Sequence, residues 1–335
     1  MHNLTDTPIE SNPYLLGYHR THDVEEHANS YNHWDVRLDQ LSSGKFEGEV
    51  ISLQLDGMQM MRDRANQSIS KNGASSPSSI TFSLSLKGPD AFRCAGRRLD
   101  DVSHLIARSS QHPEIQAPKD SDVLYIDLDE AELAEALGRQ RRKFRLEDLP
   151  KCYRRSQTGD PEGLAQLARG LLDSRMLGSP ILNHAGLLNG VRDAVLLNVL
   201  DLLDADIDCP PLTPTARKRT VDRARAYAET PRDSPLSILE LCNFVGASRR
   251  KLQYSFQEIV GINPVAYLRT IRLNAVHRAL LQSAHPCSVQ DIALSWGFLH
   301  LSRFAIDYAK LFGEKPSETV RRVRGCVDRN FAKTG

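Results

Sequence analysis

The chain contains the same short pattern twice, and this duplication limits its possible folds more than any other feature. Residues 237–264 and 288–316 align in step, first at an offset of 51 residues and then, after one inserted residue in the turn, at an offset of 52. The equivalent positions include Ser237 with Ser288, Gly246 with Gly297, Phe256 with Tyr308, and Pro264 with Pro316. A repeat of this size indicates one supersecondary element built twice.

Each copy has the pattern of a helix-turn-helix. Gly246 and its equivalent Gly297 lie just past the first predicted helix, where a left-handed C-cap conformation costs glycine little. Ser248 is placed to cap the second helix, and Leu252 and Phe256 share its buried face because they are spaced i,i+4. Two helices joined by such a turn are typical of domains that place the second helix in the major groove of DNA. The alternative is a helical packing motif that binds no nucleic acid.

A long periodic segment joins the two copies. Residues 264–283 carry apolar side chains such as Val265, Leu268 and Ile271, and a helix of ~20 residues spans ~30 Å. That length would hold the two units about one DNA turn, ~34 Å, apart on one face of the duplex. One monomer would then read two successive major grooves.

The charge of the chain is unevenly distributed. The formal net charge is only +1, but residues 215–335 carry 20 Lys and Arg against 10 Asp and Glu, whereas the remainder carries 23 against 32. A basic C-terminal third on an acidic body fits one polyanion-binding domain, and the alternative is a solvated basic face.

Cysteine usage and hydropathy place the chain in the reduced interior of the cell. The six cysteines are widely spaced and form no CxxC pair, which predicts no disulfide framework. The N-terminus shows no signal peptide, and no apolar run approaches the ~20 residues of a membrane span. We therefore expect a soluble protein without a membrane partner.

The N-terminal part has the period of β-strands. Ile51, Leu53 and Leu55 alternate with polar residues, as does the segment 80–87, and Asp56-Gly57 and Asn72-Gly73 are hairpin turn signals. The fold class predicted is α+β, with a small antiparallel β barrel or sandwich (cupin-like) over residues 41–207. Its strands are expected over about 45–128 and its helices over about 129–205. Barrels of this kind often enclose one small ligand.

One helix of this part is more apolar than a single buried stripe requires. It is predicted over residues 185–204, after an earlier helix that begins at Asp160-Pro161-Glu162. Either it lies between two layers of its own domain, or it also packs against its copy in a homodimer. The candidate dimer residues are Leu188, Val191, Val195, Val199 and Leu202.

The clearest domain boundary is a proline-rich linker. Residues 208–215 contain three prolines, which favour a stiff, extended spacer. A DNA-binding domain is predicted after it, over 216–325, with its units at 237–264 and 288–316 and a tail at 326–335. Residues 1–40 are left as a polar segment without assigned structure.

Four histidines fall close together in that polar segment, namely His19, His22, His27 and His33, beside acidic residues. They would form either a metal site or a solvated histidine-rich segment. Because their spacing matches no ligand motif, we expect no metal, and the sequence suggests no cofactor.

The two units together resemble the AraC/XylS family of bacterial transcription regulators over about residues 215–325. The residues that carry the resemblance are Asp291, Ile292, Ala293, Gly297, Phe298, Phe304, Tyr308, Phe312, Gly313 and Pro316. The resemblance implies two helix-turn-helix subdomains on a long helix and an N-terminal domain that binds an effector or dimerises. It also implies RNA polymerase as a partner and a place in the bacterial cytoplasm at the nucleoid. The N-terminal part resembles, more weakly, the ethanolamine-operon-regulator branch.

The exposed positions of the two recognition helices are the candidate DNA contacts. They are Arg249, Arg250, Lys251, Gln253 and Tyr254 in the first unit and His300, Ser302, Arg303 and Ile306 in the second. Arg binds guanine and Gln binds adenine by paired hydrogen bonds, and matching family positions point to Arg250, Gln253 and Tyr254 as base readers. Arg249 and Lys251 are expected on phosphates. Ile306 and His300 depart from the family pattern, in which Arg and Asp are frequent there.

The leading hypothesis is a sequence-specific transcription regulator, an activator, that responds to a small-molecule effector and acts as a homodimer. A second is a regulator controlled by a protein partner or by abundance. A third is a DNA-repair enzyme fused to the same module, but only Cys94 and Cys152 precede the linker, too few for the zinc-bound cysteine cluster such enzymes use. We therefore expect no enzyme activity.

Overall fold

The computed structural model describes residues 15–87, 92–99, 104–109, 112–149, 152–154, 161–177, 179–204, 213–231, 234–235, 237–282 and 288–322. Within these residues the N-terminal domain contains strands β1 (Leu15–Thr21), β2 (Asp35–Gln40), β3 (Gly48–Leu55), β4 (Met58–Ala65), β5 (Ile69–Ala74), β6 (Ser79–Ser85), β7 (Phe92–Cys94), β8 (Arg97–Leu99), β9 (His104–Arg108), β10 (Ile115–Ala117), β11 (Ser121–Asp129) and β12 (Cys152–Arg154). Its helices are α1 (Val24–Asn29), α2 (Glu130–Arg139), α3 (Glu162–Leu171) and α4 (Ala185–Asp204). The C-terminal domain contains α5 (Ala216–Ala228), α6 (Ile238–Val245), α7 (Arg249–Ile259), α8 (Pro264–Gln282), α9 (Val289–Ser295) and α10 (Leu301–Phe312).

The N-terminal strands form two antiparallel sheets. The larger sheet has the order β1-β3-β4-β11-β6-β9-β12, and the smaller has the order β2-β5-β10-β7-β8. Among the described residues each sheet ends in strands that pair on one side only, so the domain is an open sandwich. The predicted α+β class and the sandwich are therefore confirmed, whereas a closed barrel is not formed.

The larger sheet is buried on both faces. Ile51, Met60 and Ile126 point to helices α2, α3 and α4 and form one core with them. Val50 and Tyr125, on the opposite face, pack against the smaller sheet in a second core. Since each buried aliphatic side chain contributes about 1.5–3 kcal/mol, these two cores fix the order helices, larger sheet, smaller sheet.

The C-terminal domain has two small cores that share one helix. Leu268 and Ile271 of α8 pack with α5, α6 and α7, whereas Leu273 and Val276 pack with α9 and α10. The linking helix predicted over 264–283 is therefore continuous, and it enters both helix-turn-helix units. Among the described residues no helix combines the length and the apolarity that crossing a bilayer requires.

Several local predictions are corrected. The described residues 15–40, left unassigned from the sequence, form β1, α1 and β2. Asn72-Gly73 is no turn but lies inside β5, paired with β2. Gly73 has φ 147°, and a Cβ there would lie 2.0 Å from the backbone oxygen of Asp35. Its sequence signal therefore reflects a close strand contact. Asp56-Gly57 is the predicted hairpin turn between β3 and β4.

Helix α4 lies where it was predicted, but its apolar residues do not face outward. Leu188, Val195, Val199 and Leu202 are at most 3% exposed in the core of their own domain, and Val191 packs against the same core. The proposed dimer contacts are thus wrong as a surface, because the larger sheet already covers them. The homodimer itself stays a prediction.

The predicted boundary segments lie mostly outside the described residues. Outside the described residues lie 205–212, which include most of the predicted linker, and the predicted tail 326–335. The predicted N-cap Asp160 also lies outside, and α3 begins after Pro161, which occupies the N-cap position.

Candidate nucleic-acid interface

The first unit is built by caps and a small apolar core. The Ser237 side chain accepts a hydrogen bond from the backbone N–H of Glu240 and starts α6. Gly246 ends that helix with φ 66°, and the Ser248 hydroxyl accepts from the Lys251 N–H at 3.2 Å to start α7. The predicted Ser248 cap and the left-handed Gly246 are therefore confirmed.

The outer face of α7 is exposed and basic. Leu252 and Phe256 are buried, which leaves the five predicted contact residues Arg249, Arg250, Lys251, Gln253 and Tyr254 exposed along the other side. Arg250 lies 5.5 Å from the centre of the Tyr254 ring and donates a hydrogen bond to its hydroxyl at 3.4 Å. This i,i+4 pair presents a cation and an aromatic ring together.

The second unit repeats the architecture with larger side chains. Ser288 caps α9 by accepting from the Asp291 N–H at 3.1 Å, and Gly313 ends α10 with φ 73°. Phe304, Tyr308 and Phe312 form the buried face of α10. Gly297 lies just past α9 with φ 77°, as predicted, and Trp296 is the C-cap residue.

The outer face of α10 is less basic than that of α7. His300, Ser302, Arg303 and Ile306 are all exposed, as predicted, and Ile306 is 62% exposed. His300 occupies the N-cap position without making a side-chain cap hydrogen bond. The Arg303 guanidinium is 3.2 Å from Asp307, so part of its charge is compensated within the helix.

Sequence reasoning missed two neighbours of this face. Arg269 of α8 contacts Asp307 at 2.6 Å and lies over the Phe298 ring at 5.5 Å. Leu299 is half exposed beside His300. The i,i+4 spacing of Arg303 and Asp307 is the sequence pattern of an ion pair on one helix. No local pattern links Arg269 with residues of α10.

The comparisons with known proteins agree with this geometry. Residues 241–322 match the family model described as a helix-turn-helix domain (HTH_18). A "Probable thc operon regulatory protein" of Rhodococcus erythropolis is 39% identical over 115 residues, which are 34% of this chain and 33% of the relative. The "XylDLEGF operon transcriptional activator" of Pseudomonas putida is 38% identical over 90 residues, 27% of this chain and 28% of the relative.

A solved structure shares this segment as well. It is titled as a probable AraC family transcriptional regulator from Rhodopseudomonas palustris CGA009, and it is 38% identical over 31% of this chain and 96% of that chain, with a TM-score of 0.29. The C-terminal domain belongs to the AraC/XylS family. The AraC-type match spans about a third of the length of the curated relatives. These relatives are named as regulators of transcription.

Two basic residues of the AraC-type domain do not face solvent. Lys218 and Arg225, on α5, are buried against carboxylates of the N-terminal domain. Lys218 lies 2.5 Å and Arg225 2.8 Å from Glu114, and Arg225 also pairs with Asp39. Part of the basic excess seen in the sequence is thus neutralised between the domains.

The four N-terminal histidines do not assemble. His27 is buried between the Thr21 hydroxyl and the Asp63 carboxylate, each at 2.8 Å. His19, His22 and His33 are exposed. Among the described residues, Asp23, His277 and Glu314 lie close enough together to resemble a metal site.

A guanidinium already occupies the cluster of Asp23, His277 and Glu314. Arg322 contacts Asp23 at 2.6 Å and Glu314 at 3.0 Å, so the cation between the two carboxylates is an arginine side chain. Burial alone would raise the pKa of Asp23, but His277 and Arg322 lower it well below its usual range.

The interior of the sandwich holds a buried ion pair. Lys71 Nζ lies 2.7 Å from Asp63 and donates to the hydroxyls of Tyr31 and Tyr125. Burial opposes ionisation of Asp63, but Lys71 and His27 still lower its pKa well below the usual range. The predicted ligand-binding interior is therefore filled here by paired charges.

A surface cavity of about 340 Å³ lies at one end of the sandwich. It is lined by His33, Gln54, Gly57, Met58, Gln59, Ser76, Pro77, Ser79, Asp127, Leu128 and Asp129. Asp127 accepts a hydrogen bond from the Trp34 indole at 2.8 Å, and burial raises its pKa. Trp34 packs edge-on against Tyr125, so this cavity adjoins the buried ion pair.

Proposed function

We propose that the chain is a sequence-specific DNA-binding transcription regulator, an activator, whose N-terminal domain responds to a small-molecule effector. The observation that carries this proposal is the pair of capped recognition helices, α7 and α10, which share α8 and keep their outer faces free. The named relatives, which include a transcriptional activator, support the activating direction. RNA polymerase as a partner, homodimer formation and action in the cytoplasm belong to the same proposal.

The two faces divide the work of binding. Arg250, Gln253 and Tyr254 are proposed to contact base edges, and Arg249 and Lys251 are proposed to contact phosphates. In the second unit His300, Ser302 and Arg303 are suited to the backbone, and Ile306 to an apolar edge such as a thymine methyl.

The test is selection of binding sites from a random DNA library with the full chain, followed by affinity measurements at one fixed salt concentration. Specific regulators bind their sites at least ~10³-fold more tightly than random DNA. A ratio near one between selected and random duplexes would overturn the sequence-specific part of the proposal.

The effector is proposed to enter the cavity beside Asp127, since that cavity adjoins Trp34 and the buried ion pair. The competing proposal is a regulator without a small molecule, and the paired charges inside the sandwich favour it. A thermal-shift screen separates the two, because a ligand at 100-fold its Kd stabilises the folded chain by ~2.7 kcal/mol. The Asp127→Asn variant should lose the shift given by any compound bound there. Compounds that shift both proteins equally bind elsewhere.

A further inference from the structure

The two domains meet along a seam that reaches both helix-turn-helix units. We define the seam as the contacts of the smaller sheet, α1 and residues 41–45 with the AraC-type domain. Asp39 and Glu114 of the N-terminal domain pair with Lys218, Arg225 and Arg278 of the opposing helices, and Arg37 of β2 pairs in the reverse sense with Glu229. The seam is therefore a built interface with a definite charge pattern.

Its centre is a buried carboxylate held by two helices. Asp39 of β2 is fully buried, and it pairs with Arg225 of α5 and, at 2.9 Å, with Arg278 of α8. Burial alone would lower the pKa of Arg278, but Asp39 and Glu25 raise it. Removing one partner of such a buried pair leaves an uncompensated charge and is strongly destabilising.

Beside Asp39, one amide of the linking helix extends the smaller sheet. β2 is an edge strand, and its Gln40 backbone N–H donates to the Asn274 side chain at 2.8 Å while Asn274 donates back to the Gln40 carbonyl at 3.0 Å. Asn274 thus satisfies the edge of β2 as a neighbouring strand would. This fixes the direction in which α8 crosses the sheet.

The seam also holds the C-terminal end of each recognition helix. At the end of α7, Arg93 donates to the Glu258 carbonyl at 2.7 Å. At the end of α10, the Gln40 side-chain amide and the Gly44 N–H donate to the Leu311 carbonyl at 2.6 and 3.1 Å. Glu258 and Leu311 are within one residue of being equivalent in the repeat. One domain therefore caps the same turn of both copies.

A ring of hydrogen bonds adds to the contacts between the N-terminal domain and the second unit. Asp23 accepts from His277 at 2.8 Å and from Arg322 at 2.6 Å. His277 bonds Tyr308 at 2.5 Å, and Tyr308 bonds Thr319 at 2.8 Å. Thr319 and Arg322 both donate to Glu314, at 2.6 and 3.0 Å. Only Asp23 belongs to the N-terminal domain, so this one carboxylate completes a network that otherwise lies within the AraC-type domain.

We propose that the N-terminal domain is a brace that fixes the two recognition helices in one relative arrangement, and so sets which bipartite DNA sites the chain binds. The brace leaves the outer faces of α7 and α10 exposed, so it orients them without covering them. This inference rests on the proposed DNA-binding function. It adds that affinity for a two-part site depends on residues that touch no DNA.

Strand β5 gives the brace a connection to the sandwich interior. Lys71 of β5 points to the buried ion pair, whereas the neighbouring Ser70 hydroxyl contacts Arg225 at 3.0 Å on the seam side. Adjacent strand residues point to opposite faces, so one strand touches both places. A change of packing inside the sandwich therefore acts directly on the seam.

The test compares DNA affinity on two duplexes for the full chain. One duplex carries the complete selected site, and the other carries the same site with the second half randomised. Asp39→Asn should weaken binding to the complete site at least tenfold and change binding to the half site less than twofold. The matched control is Glu135→Gln, which breaks an exposed ion pair with Arg139 on α2 and should change neither.

Two outcomes would overturn the brace. Equal losses on both duplexes would mean that the seam affects only folding, and tighter binding by Asp39→Asn would mean that docking inhibits the protein.

Hydrogen exchange without DNA gives a readout that does not need a binding site. Asp39→Asn should speed exchange in the last turns of both α7 and α10, and acceleration in neither or in only one of them contradicts the brace. Failure of the selection to enrich any sequence would refute the proposed function alone, because the exchange result still decides whether the seam holds both helices.

Discussion

The two helix-turn-helix units share one backbone plan but present different surfaces. The first combines a basic outer face with a core in which Phe256 packs edge-on against Tyr267 of α8. The second has one partly compensated arginine outside, and its equivalent Tyr308 leads into a hydrogen-bonded ring inside. The two copies have thus diverged: α7 presents the more basic outer face, to which we assign the reading of bases, and α10 is tied to the N-terminal domain through a hydrogen-bonded ring.

The largest effect expected from this difference is on specific DNA affinity. Replacing Arg250 and Gln253 together by Ala should weaken binding to the selected site by about 2–6 kcal/mol, because each lost base contact is worth ~1–3 kcal/mol. Replacing Ser302 and Arg303 by Ala should weaken binding about tenfold or less, and equally on random DNA, since these are backbone contacts. Titrations of both variants against selected and random duplexes measure the contrast. The division of labour fails if the second pair proves the more sequence-selective.

A smaller effect concerns acid stability on the side of the first unit. Burial opposes ionisation of Glu114, but Lys218 and Arg225 lower its pKa to about 2. A lowered folded-state pKa stabilises the fold fully above the unfolded value and is lost as the pH falls towards the folded value. Glu114 should therefore contribute up to about 3 kcal/mol that disappears between pH ~4.5 and 2.

The Glu114→Gln variant should lose this part of the pH dependence. Urea unfolding of the wild type and the variant at several pH values measures it. Glu135→Gln, which removes an exposed carboxylate, should keep the wild-type slope. An unchanged slope in Glu114→Gln would show that its ion pairs are not linked to folding.

Next in size is the removal of one hydroxyl from the second unit. Tyr308→Phe should destabilise the chain by about 1–3 kcal/mol, because His277 and Thr319 would each lose a buried hydrogen-bond partner. Tyr254→Phe removes an exposed hydroxyl from the first unit and should change stability by less than ~0.5 kcal/mol. Thermal unfolding compares them. Equal effects would mean that the ring contributes no more than a surface contact.

The smallest effect tests the apolar side of the second unit. If Ile306 contacts a thymine methyl, Ile306→Ala should weaken binding to the selected site by about 0.8 kcal/mol, the value of roughly one buried methylene. Uracil in place of that thymine should weaken the wild type by a similar amount and leave the variant unchanged. Additive losses would place Ile306 away from the methyl.

The parts of the molecule that follow local rules were the parts predictable from sequence. Ser248 and Gly246 cap helices through near neighbours, and α4 and α8 follow apolar periodicity, so their positions were found within a residue or two. Asn72-Gly73 misled because a glycine required by close strand pairing carries the same signal as a hairpin turn. Asp39 with Arg225 could not be foreseen, because no local pattern records a contact across 186 residues.

The same reasoning explains which statements about exposed and buried surfaces could be made from the sequence. The apolar side of α4 indicated that it is buried, but the sequence did not show that the larger sheet, rather than a second copy, covers it. The charge total of residues 215–335 included Lys218, which is buried, because a charge total ignores burial. The outer faces of α7 and α10 were identified correctly because exposure follows directly from helical spacing once the core residues are known.

The ring through Asp23 also sets an order of events during synthesis. Arg322 follows Asp23 by 299 positions in the chain, so the N-terminal domain is synthesised long before the two can meet. Until then Asp39 and Glu114 could already pair with Arg225 and Arg278 or Lys218, whereas Asp23 would lack its arginine partner. Domains generally fold in the order of their synthesis, so Asp23 would wait in a folded N-terminal domain for Arg322 to complete the ring.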